Sequence, residues 1–120
     1  MLFLQYPPCS TCRKAKAWLD QRGISYTDRH IKEQNPTYEE LKAWYEVSGL
    51  PLKRFFNTSG LQYKSLNLKE RLPQMTEEEQ LRLLATDGML VKRPIIVADG
   101  HILTGFQEDQ WESLIQENEP

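Results

Sequence analysis

The chain has 120 residues, and its 15 basic and 17 acidic side chains give a formal net charge of -2 at pH 7. That length suffices for one hydrophobic core, so residues 1–120 are expected to form a single domain. The near balance of charge argues against direct binding to nucleic acid or to an anionic membrane. No apolar run approaches the roughly 20 residues of a membrane span, and residues 1–5 do not resemble a signal peptide, which favours a cytoplasmic protein.

The N-terminal part of the chain has the pattern of a strand, a helix and a second strand. Residues 1–6 are mostly apolar and are followed by prolines, which indicates a buried strand that ends there. From Ser10 onward the apolar side chains share one helical face, namely Cys12, Ala15, Trp18 and Leu19. Gly23 is a suitable helix stop, and residues 24–31 are predicted to form the second strand. A βαβ unit of this kind has parallel strands and a right-handed crossover.

Residues 35–90, by contrast, carry helical signals and no strand pattern. Two capping boxes mark helix starts, Thr37 with Glu40 and Thr76 with Glu79. Shorter helical turns are expected over residues 51–56 and 61–72, on either side of a polar loop. This block is therefore predicted to be all-helical.

Strand character returns in the last part of the chain. Residues 95–98 predict a strong strand, and the Asp-Gly pair that follows is a hairpin signal before a return strand at residues 101–104. A last helix is predicted from about Glu108, with a frayed acidic tail from residue 116. Its buried face is expected to hold Trp111, Leu114 and Ile115.

The order βαβ, helical block, ββα predicts an α/β fold of the thioredoxin-like kind. It would have a mixed four-stranded sheet, with the all-helical segment inserted at about residues 35–90 between the two halves. No apolar stripe is left over to demand a dimer, so a monomer is expected.

The two cysteines of the chain, Cys9 and Cys12, lie where the first strand gives way to the first helix. In a reducing compartment such a pair is more often catalytic or metal-binding than structural, and too few further ligands are at hand for a metal site. Cys9 precedes the helix, where unpaired backbone N–H groups favour an anion, whereas Cys12 lies on the buried face. We therefore expect Cys9 to be the attacking thiolate and Cys12 the resolving thiol, the alternative being that both are small core residues.

Neighbouring residues are expected to support that chemistry. Arg13 and Lys14 bring positive charge to the first helical turn, and Ser10 and Thr11 bring hydroxyl donors. All four would lower the pKa of Cys9. Ser10, Thr11 and Arg13 are accordingly predicted to contribute to substrate binding.

Three separate motifs, at residues 8–15, 92–97 and 105–109, together resemble the arsenate reductase (ArsC)/Spx family. The resemblance extends over about residues 2–116 and is greater to the CxxC-containing Spx- and YffB-like members. It implies a thioredoxin-like fold in which the loop at Arg93 and Pro94 faces the cysteines and the proline is cis. Arg93 would then hold an oxyanion or stabilise the thiolate, and Pro94 would leave its backbone open to a substrate chain.

The resemblance also implies a function. The leading hypothesis is a thiol–disulfide oxidoreductase with no bound cofactor, which uses glutathione as cosubstrate or a reductant of the thioredoxin or glutaredoxin type. Family members that reduce arsenate have one catalytic cysteine, which Cys9 matches, and three anion-binding arginines. Arg93 matches one of these, but the other two fall near Asn57 and Gly105. Efficient arsenate reduction is therefore not expected.

Spx-type regulators are the second alternative. In these proteins the CxxC acts as a redox switch, and the protein binds the C-terminal domain of the RNA polymerase α subunit. Gly49 matches a glycine of that contact, but the arginine expected near Ser59 and a longer basic tail are missing from this sequence. The resemblance therefore favours the enzyme over the regulator.

Overall fold

The computed structural model describes residues 1–118 of the chain, with side chains through residue 116. Its strands are β1 (Leu2–Gln5), β2 (Thr27–His30), β3 (Ile95–Ala98) and β4 (His101–Thr104). In this part of the chain they form a mixed sheet in the order β2-β1-β3-β4, in which β1 pairs parallel with β2 and antiparallel with β3. β3 and β4 form an antiparallel hairpin. The predicted βαβ unit, the hairpin and the mixed sheet are confirmed.

β2 is shorter than predicted, because its first residues close the preceding helix and do not pair with β1. Gly23 adopts a left-handed conformation (φ 66°), and the Ile24 N–H donates to the carbonyl of Leu19 at 3.2 Å. Pairing with β1 begins only where the Thr27 N–H donates to the carbonyl of Met1 at 2.8 Å. The expected strand start at residue 24 is therefore wrong by three residues.

Two long helices cover one face of the sheet, α1 (Ser10–Gln21) and α6 (Glu108–Asn118). Trp18 of α1 and Trp111 of α6 meet edge to face at 5.9 Å between ring centroids, and Phe3 of β1 packs beneath them. The indole N–H of Trp111 donates to the carbonyl of Gly105 at 3.1 Å, so its polar atom is satisfied within the core.

The end of α6 differs from the sequence-based expectation. Trp111 and Leu114 are buried as predicted, whereas Ile115 is only partly buried. The helix continues to Asn118, past residue 116 where the frayed tail was expected to begin. Residues 119 and 120 of that tail lie outside the described part of the chain.

The helical insertion covers the opposite face. Its helices are α2 (Tyr38–Ser48), α3 (Leu61–Ser65), α4 (Leu68–Arg71) and α5 (Glu77–Leu84), with 3₁₀ turns at Leu52–Phe55, Leu72–Gln74 and Gly88–Leu90. Both predicted capping boxes are present, one at the start of α2 and one at the start of α5. Apart from one bridge between Phe56 and Val91, no strand pairing occurs between residues 35 and 90, so the all-helical prediction is confirmed.

The alternation of side chains along the strands explains the two layers. Leu4 and Ile95 are register partners that point into the insertion core, while Phe3 and Ile96, one residue along, point toward α1 and α6. All four side chains are fully buried. No helix within residues 1–118 has the length and apolar character needed to cross a membrane.

Candidate active site

Cys9 and Cys12 lie at the start of α1, on the end of the sheet where β1 stops. Cys9 is the N-cap residue, with extended backbone angles, and its N–H donates to the carbonyl of Tyr6 at 2.9 Å. Cys12 is fully buried, and its sulfur accepts a hydrogen bond from the Tyr6 N–H at 3.5 Å. Both cysteines are free thiols, and Cys9 is only partly buried. The expected asymmetry between an accessible and a buried cysteine is present.

The pKa of Cys9 is lowered by hydrogen bonds that outweigh burial. Burial alone would raise the pKa of this thiol. The Cys12 backbone N–H and thiol, the Thr11 N–H and the Arg93 guanidinium all favour the thiolate, and together they bring the pKa of Cys9 below its ordinary value. Thr11 acts through its backbone N–H and not through the expected hydroxyl. Arg13, whose side chain is exposed, is not among the causes.

The pKa of Cys12 moves in the opposite direction. Burial is the main cause and raises the pKa of this thiol to about 12. The Tyr6 N–H opposes the rise, while Cys9 adds to it both as hydrogen-bond partner and as a nearby negative charge. The pKa values of two thiols on one helical turn are therefore shifted in opposite directions. This difference allows one thiol to attack as the thiolate while the other remains protonated.

Arg93 lies beside the cysteines, and its peptide bond to Pro94 is cis. The guanidinium helps to lower the pKa of Cys9 and lies 5.1 Å from the centre of the Tyr6 ring. Its Nε and Nη1 are buried and have no hydrogen-bond partner within the described residues. Arg93 and Cys9 line the same cavity, and these two guanidinium nitrogens are able to donate to an acceptor there.

A cavity of about 480 Å³ opens beside Cys9. Thr11, Asn57, Thr104 and Gly105 line it together with three cationic side chains, those of Arg54, Lys92 and Arg93. No acidic side chain of residues 1–116 lines it. The cavity therefore presents positive charge and hydrogen-bond donors next to the more acidic thiol.

The structure gathers only some of the residues singled out from the sequence. Thr11 and Arg93 line the cavity with Cys9, whereas Ser10 and Arg13 are exposed and do not line it. Pro94, the residue that directly follows Arg93, is buried. The roles predicted for Ser10, Arg13 and Pro94 in substrate binding stay predictions.

Sequence reasoning missed Arg54, Lys92 and Thr104. The sequence assigned no role to Arg54, and Lys92 was only part of the motif at residues 92–97. No pattern in the sequence brings residue 54 next to residue 92, because they are joined by one isolated bridge between Phe56 and Val91. The one available signal was the Arg-Pro pair that follows Lys92, because it indicated that this loop lies near the cysteines.

A thioredoxin-like sheet with two free cysteines at the start of its first helix, opposite a cis-proline, places this chain among the thioredoxin-like proteins. The ArsC family profile matches residues 4–114, so the chain belongs to the ArsC family. Within the described residues, no three His, Cys, Asp or Glu side chains are grouped so that they could hold a metal ion.

Several relatives are similar over nearly their whole length. Bacillus subtilis YusI is 57% identical over 93% of this chain and 95% of its own. The B. subtilis regulatory protein MgsR is 34% identical, covering 88% and 82%. The global transcriptional regulator Spx of Staphylococcus epidermidis is 30% identical, covering 87% and 78%. The curated relatives thus include transcriptional regulators.

Solved structures give the same picture of the fold. An ArsC-family-related protein from Bacteroides fragilis superposes with a TM-score of 0.92 at 61% identity, covering 94% of this chain and 95% of its own. A possible arsenate reductase from Streptococcus mutans superposes with a TM-score of 0.85 at 45% identity, covering 92% and 96%. Relatives of this fold therefore include both regulators and a possible reductase.

The lowered pKa of Cys9 leads to a pH prediction. Iodoacetamide is expected to alkylate Cys9 faster than a free peptide cysteine at pH 7, because a lowered pKa enlarges the thiolate fraction. Arg93→Met should shift the midpoint of the rate–pH profile upward, because the thiolate loses a charged donor. Quantitative mass spectrometry of the Cys9 peptide between pH 4 and pH 10 measures both profiles. Arg13→Met is the control, and equal shifts in the two variants would contradict the hydrogen-bond explanation.

Proposed function

We propose that this protein is a thiol–disulfide oxidoreductase in which Cys9 attacks and Cys12 resolves. The observation that carries the proposal is the opposite displacement of the two pKa values, lowered at Cys9 and raised to about 12 at Cys12. Cys9 lines a cationic cavity, whereas Cys12 is fully buried and does not line it. A substrate would therefore meet the thiolate first.

The first step is attack by the Cys9 thiolate on the small-thiol sulfur of a mixed disulfide. A new bond forms between Cys9 and that sulfur, and the other substrate sulfur leaves with the electron pair and takes up a proton. Cys12 then loses its proton, attacks the Cys9 sulfur and releases the small thiol. The resulting Cys9–Cys12 disulfide needs two electrons, which two glutathione molecules or an external dithiol of the thioredoxin or glutaredoxin type would supply. No bound cofactor takes part.

The coupling between the two thiols helps the second step. The negative charge and the hydrogen bond of Cys9 both raise the pKa of Cys12. Once Cys9 is in a mixed disulfide, its negative charge is lost. The pKa of Cys12 then falls, and a larger fraction of Cys12 is present as the thiolate. Resolution is thus favoured only after attack.

The proposal is tested with a peptide–glutathione mixed disulfide, glutathione, glutathione reductase and NADPH. We expect turnover that depends on Cys9, and a Cys9–Cys12 reduction potential near thioredoxin's value of about -270 mV. No turnover with glutathione, thioredoxin or glutaredoxin as reductant would reject the oxidoreductase. A markedly more oxidising potential would favour a sensor.

A redox-switch regulator is the second candidate, supported by the similarity to MgsR and Spx. Gly49, which matches a glycine of the family's RNA polymerase contact, is exposed at the end of α2 with φ 68°. This candidate predicts that the chain binds the C-terminal domain of the RNA polymerase α subunit. A pull-down with and without oxidant tests it, and absence of binding in both states excludes it.

Arsenate reduction is the third candidate, supported by the similarity to the possible arsenate reductase from S. mutans. Asn57 and Gly105 line the cavity without charge, but Arg54 and Lys92 bring the number of cations around it to three. The electrostatic objection drawn from the sequence is therefore weaker than expected. An assay with arsenate, glutaredoxin and glutathione that shows no Cys9-dependent turnover would exclude this activity.

A further inference from the structure

We propose that Arg54 and Lys92 form an anion subsite that selects disulfides whose small-thiol half carries a free carboxylate. The inference rests on the proposed function, because it assigns the substrate class of the same site. It differs from the oxyanion site implied by the family resemblance, since neither residue occupies the position of an expected arginine. The subsite residues are Arg54 from the helical insertion and Lys92 from the loop before β3.

A short stretch of backbone pairing brings these two residues together. The Lys92 N–H donates to the carbonyl of Phe55 at 2.8 Å, and the Asn57 N–H donates to the carbonyl of Leu90 at 2.8 Å. These bonds flank the bridge between Phe56 and Val91. Because backbone pairing fixes both segments, Arg54 and Lys92 line the same cavity as Cys9.

Arg54 and Lys92 also line a second cavity next to the one beside Cys9. A second cavity of about 330 Å³ is lined by both Arg54 and Lys92, together with Lys53. Positive charge therefore continues from the thiolate toward the insertion. In this proposal the sulfur of a small thiol lies at Cys9 and its carboxylate between the two cavities, where both contain Arg54 and Lys92.

Gly105 leaves room for Lys92 to reach the cavity. Gly105 has φ 76°, and a Cβ added there would lie 3.3 Å from Cε of Lys92. The lysine side chain therefore runs past the position at which a residue 105 side chain would begin. Where the family resemblance leads one to expect an arginine, this chain places the stem of a lysine.

Unpartnered polar atoms are the second, independent observation. Thr104 is 4% exposed and lines the cavity, and its Oγ1 has no hydrogen-bond partner within residues 1–116. Buried polar atoms in folded proteins are normally hydrogen-bonded, so this hydroxyl and the unused donors of Arg93 point to a ligand with acceptor oxygens. Ion pairs among the described residues involve neither Arg54 nor Lys92.

The cations thus divide into two groups by what they contact. Arg93 lines the cavity with Cys9, stabilises its thiolate and so serves the reacting atoms. Arg54 and Lys92 remain for the rest of the small thiol, and a carboxylate is the group that pairs with both. A neutral thiol would leave both cations without a partner and gain nothing from them.

The test measures binding separately from turnover. S-methylglutathione, which cannot exchange thiols, and its dimethyl ester are titrated by isothermal calorimetry into wild type, Lys92→Met, Arg54→Met and the control Lys42→Met. Lys42 is exposed on α2 and lines neither cavity. We expect wild type and Lys42→Met to bind the acid about tenfold or more tightly than the ester, and the other two variants to lose most of that preference.

Equal affinity of wild type for acid and ester, or no binding of the acid, would overturn the subsite whatever the enzyme activity. A preference that survives both Lys92→Met and Arg54→Met would also overturn it. If the acid binds with the expected preference but disulfide turnover is absent, the subsite stands and the oxidoreductase proposal fails. If disulfide turnover is present but the acid is not preferred over the ester, the oxidoreductase proposal stands and the subsite fails.

Discussion

Replacing Cys9 with serine is expected to abolish disulfide turnover, with a loss of about 10³-fold or more in kcat. A serine hydroxyl stays protonated near neutral pH, so the hydrogen bonds that lower the pKa of Cys9 no longer produce a nucleophile. Cys12→Ser should behave differently. In this variant Cys9 can still attack the disulfide. A covalent Cys9–glutathione adduct then accumulates, because residue 12 has no thiol to resolve it.

Intact-protein mass spectrometry after incubation with oxidised glutathione distinguishes the two variants. Wild type should show an internal disulfide, Cys12→Ser one glutathione adduct, and Cys9→Ser neither. Circular dichroism of each variant checks that the fold is unchanged. An adduct on Cys9→Ser together with none on Cys12→Ser would mean that the two cysteines have the opposite roles.

Gly88→Ala is expected to destabilise the fold by about 3 kcal/mol or more. A Cβ at this position would overlap the backbone carbonyl of Ile31 and would lie 3.1 Å from the Cα of Lys32. Both contacts are with the backbone that directly follows β2, which cannot move aside as a flexible side chain could. Gly88 begins the turn that leads to Leu90 and Val91, so its displacement would also disturb the pairing that holds Lys92.

Gly49→Ala is the matched control for this prediction. Gly49 has φ 68°, but nothing lies within 4 Å of a Cβ added there. The substitution is therefore expected to lower the free energy of unfolding only through the strained left-handed backbone, by about 1–2 kcal/mol. Urea unfolding of both variants, compared at equal slope, measures the difference in the free energy of unfolding. Equal losses in the two variants would show that close packing at Gly88 contributes nothing.

The cavity also changes how the family resemblance bears on function. Judged by residue type, Asn57 and Gly105 remove two of the three charges associated with arsenate reduction. In the folded chain Arg54 and Lys92 bring positive charge to the same cavity from other positions. The net effect is a cationic site whose charge extends away from Cys9 toward the insertion, and the proposed selection of an extended anionic thiol rests on that arrangement.

Signals that act over a few residues were readable from the sequence. The capping box of Thr37 and Glu40 is formed by mutual hydrogen bonds at 3.1 Å and 3.0 Å, which requires only that the two residues be three apart. Cys9 as N-cap and Cys12 on the buried face followed from helical periodicity in the same way. The sheet followed from the strand patterns and from the handedness of the βαβ crossover.

Relations between distant segments were not readable. The start of β2 depended on how the end of α1 closes through Ile24, and the need for glycine at position 88 depended on its approach to Ile31. Arg54 became a site residue only because Phe56 pairs with Val91.

The sequence by itself therefore determined the class of fold, the two cysteines and their asymmetry, because backbone periodicity and helix capping are local properties. Only the tertiary structure decided which charges surround Cys9. Electrostatic and hydrogen-bonding partners are set by distance in space, and residues 9, 54, 92 and 104 share one cavity despite their separation along the chain.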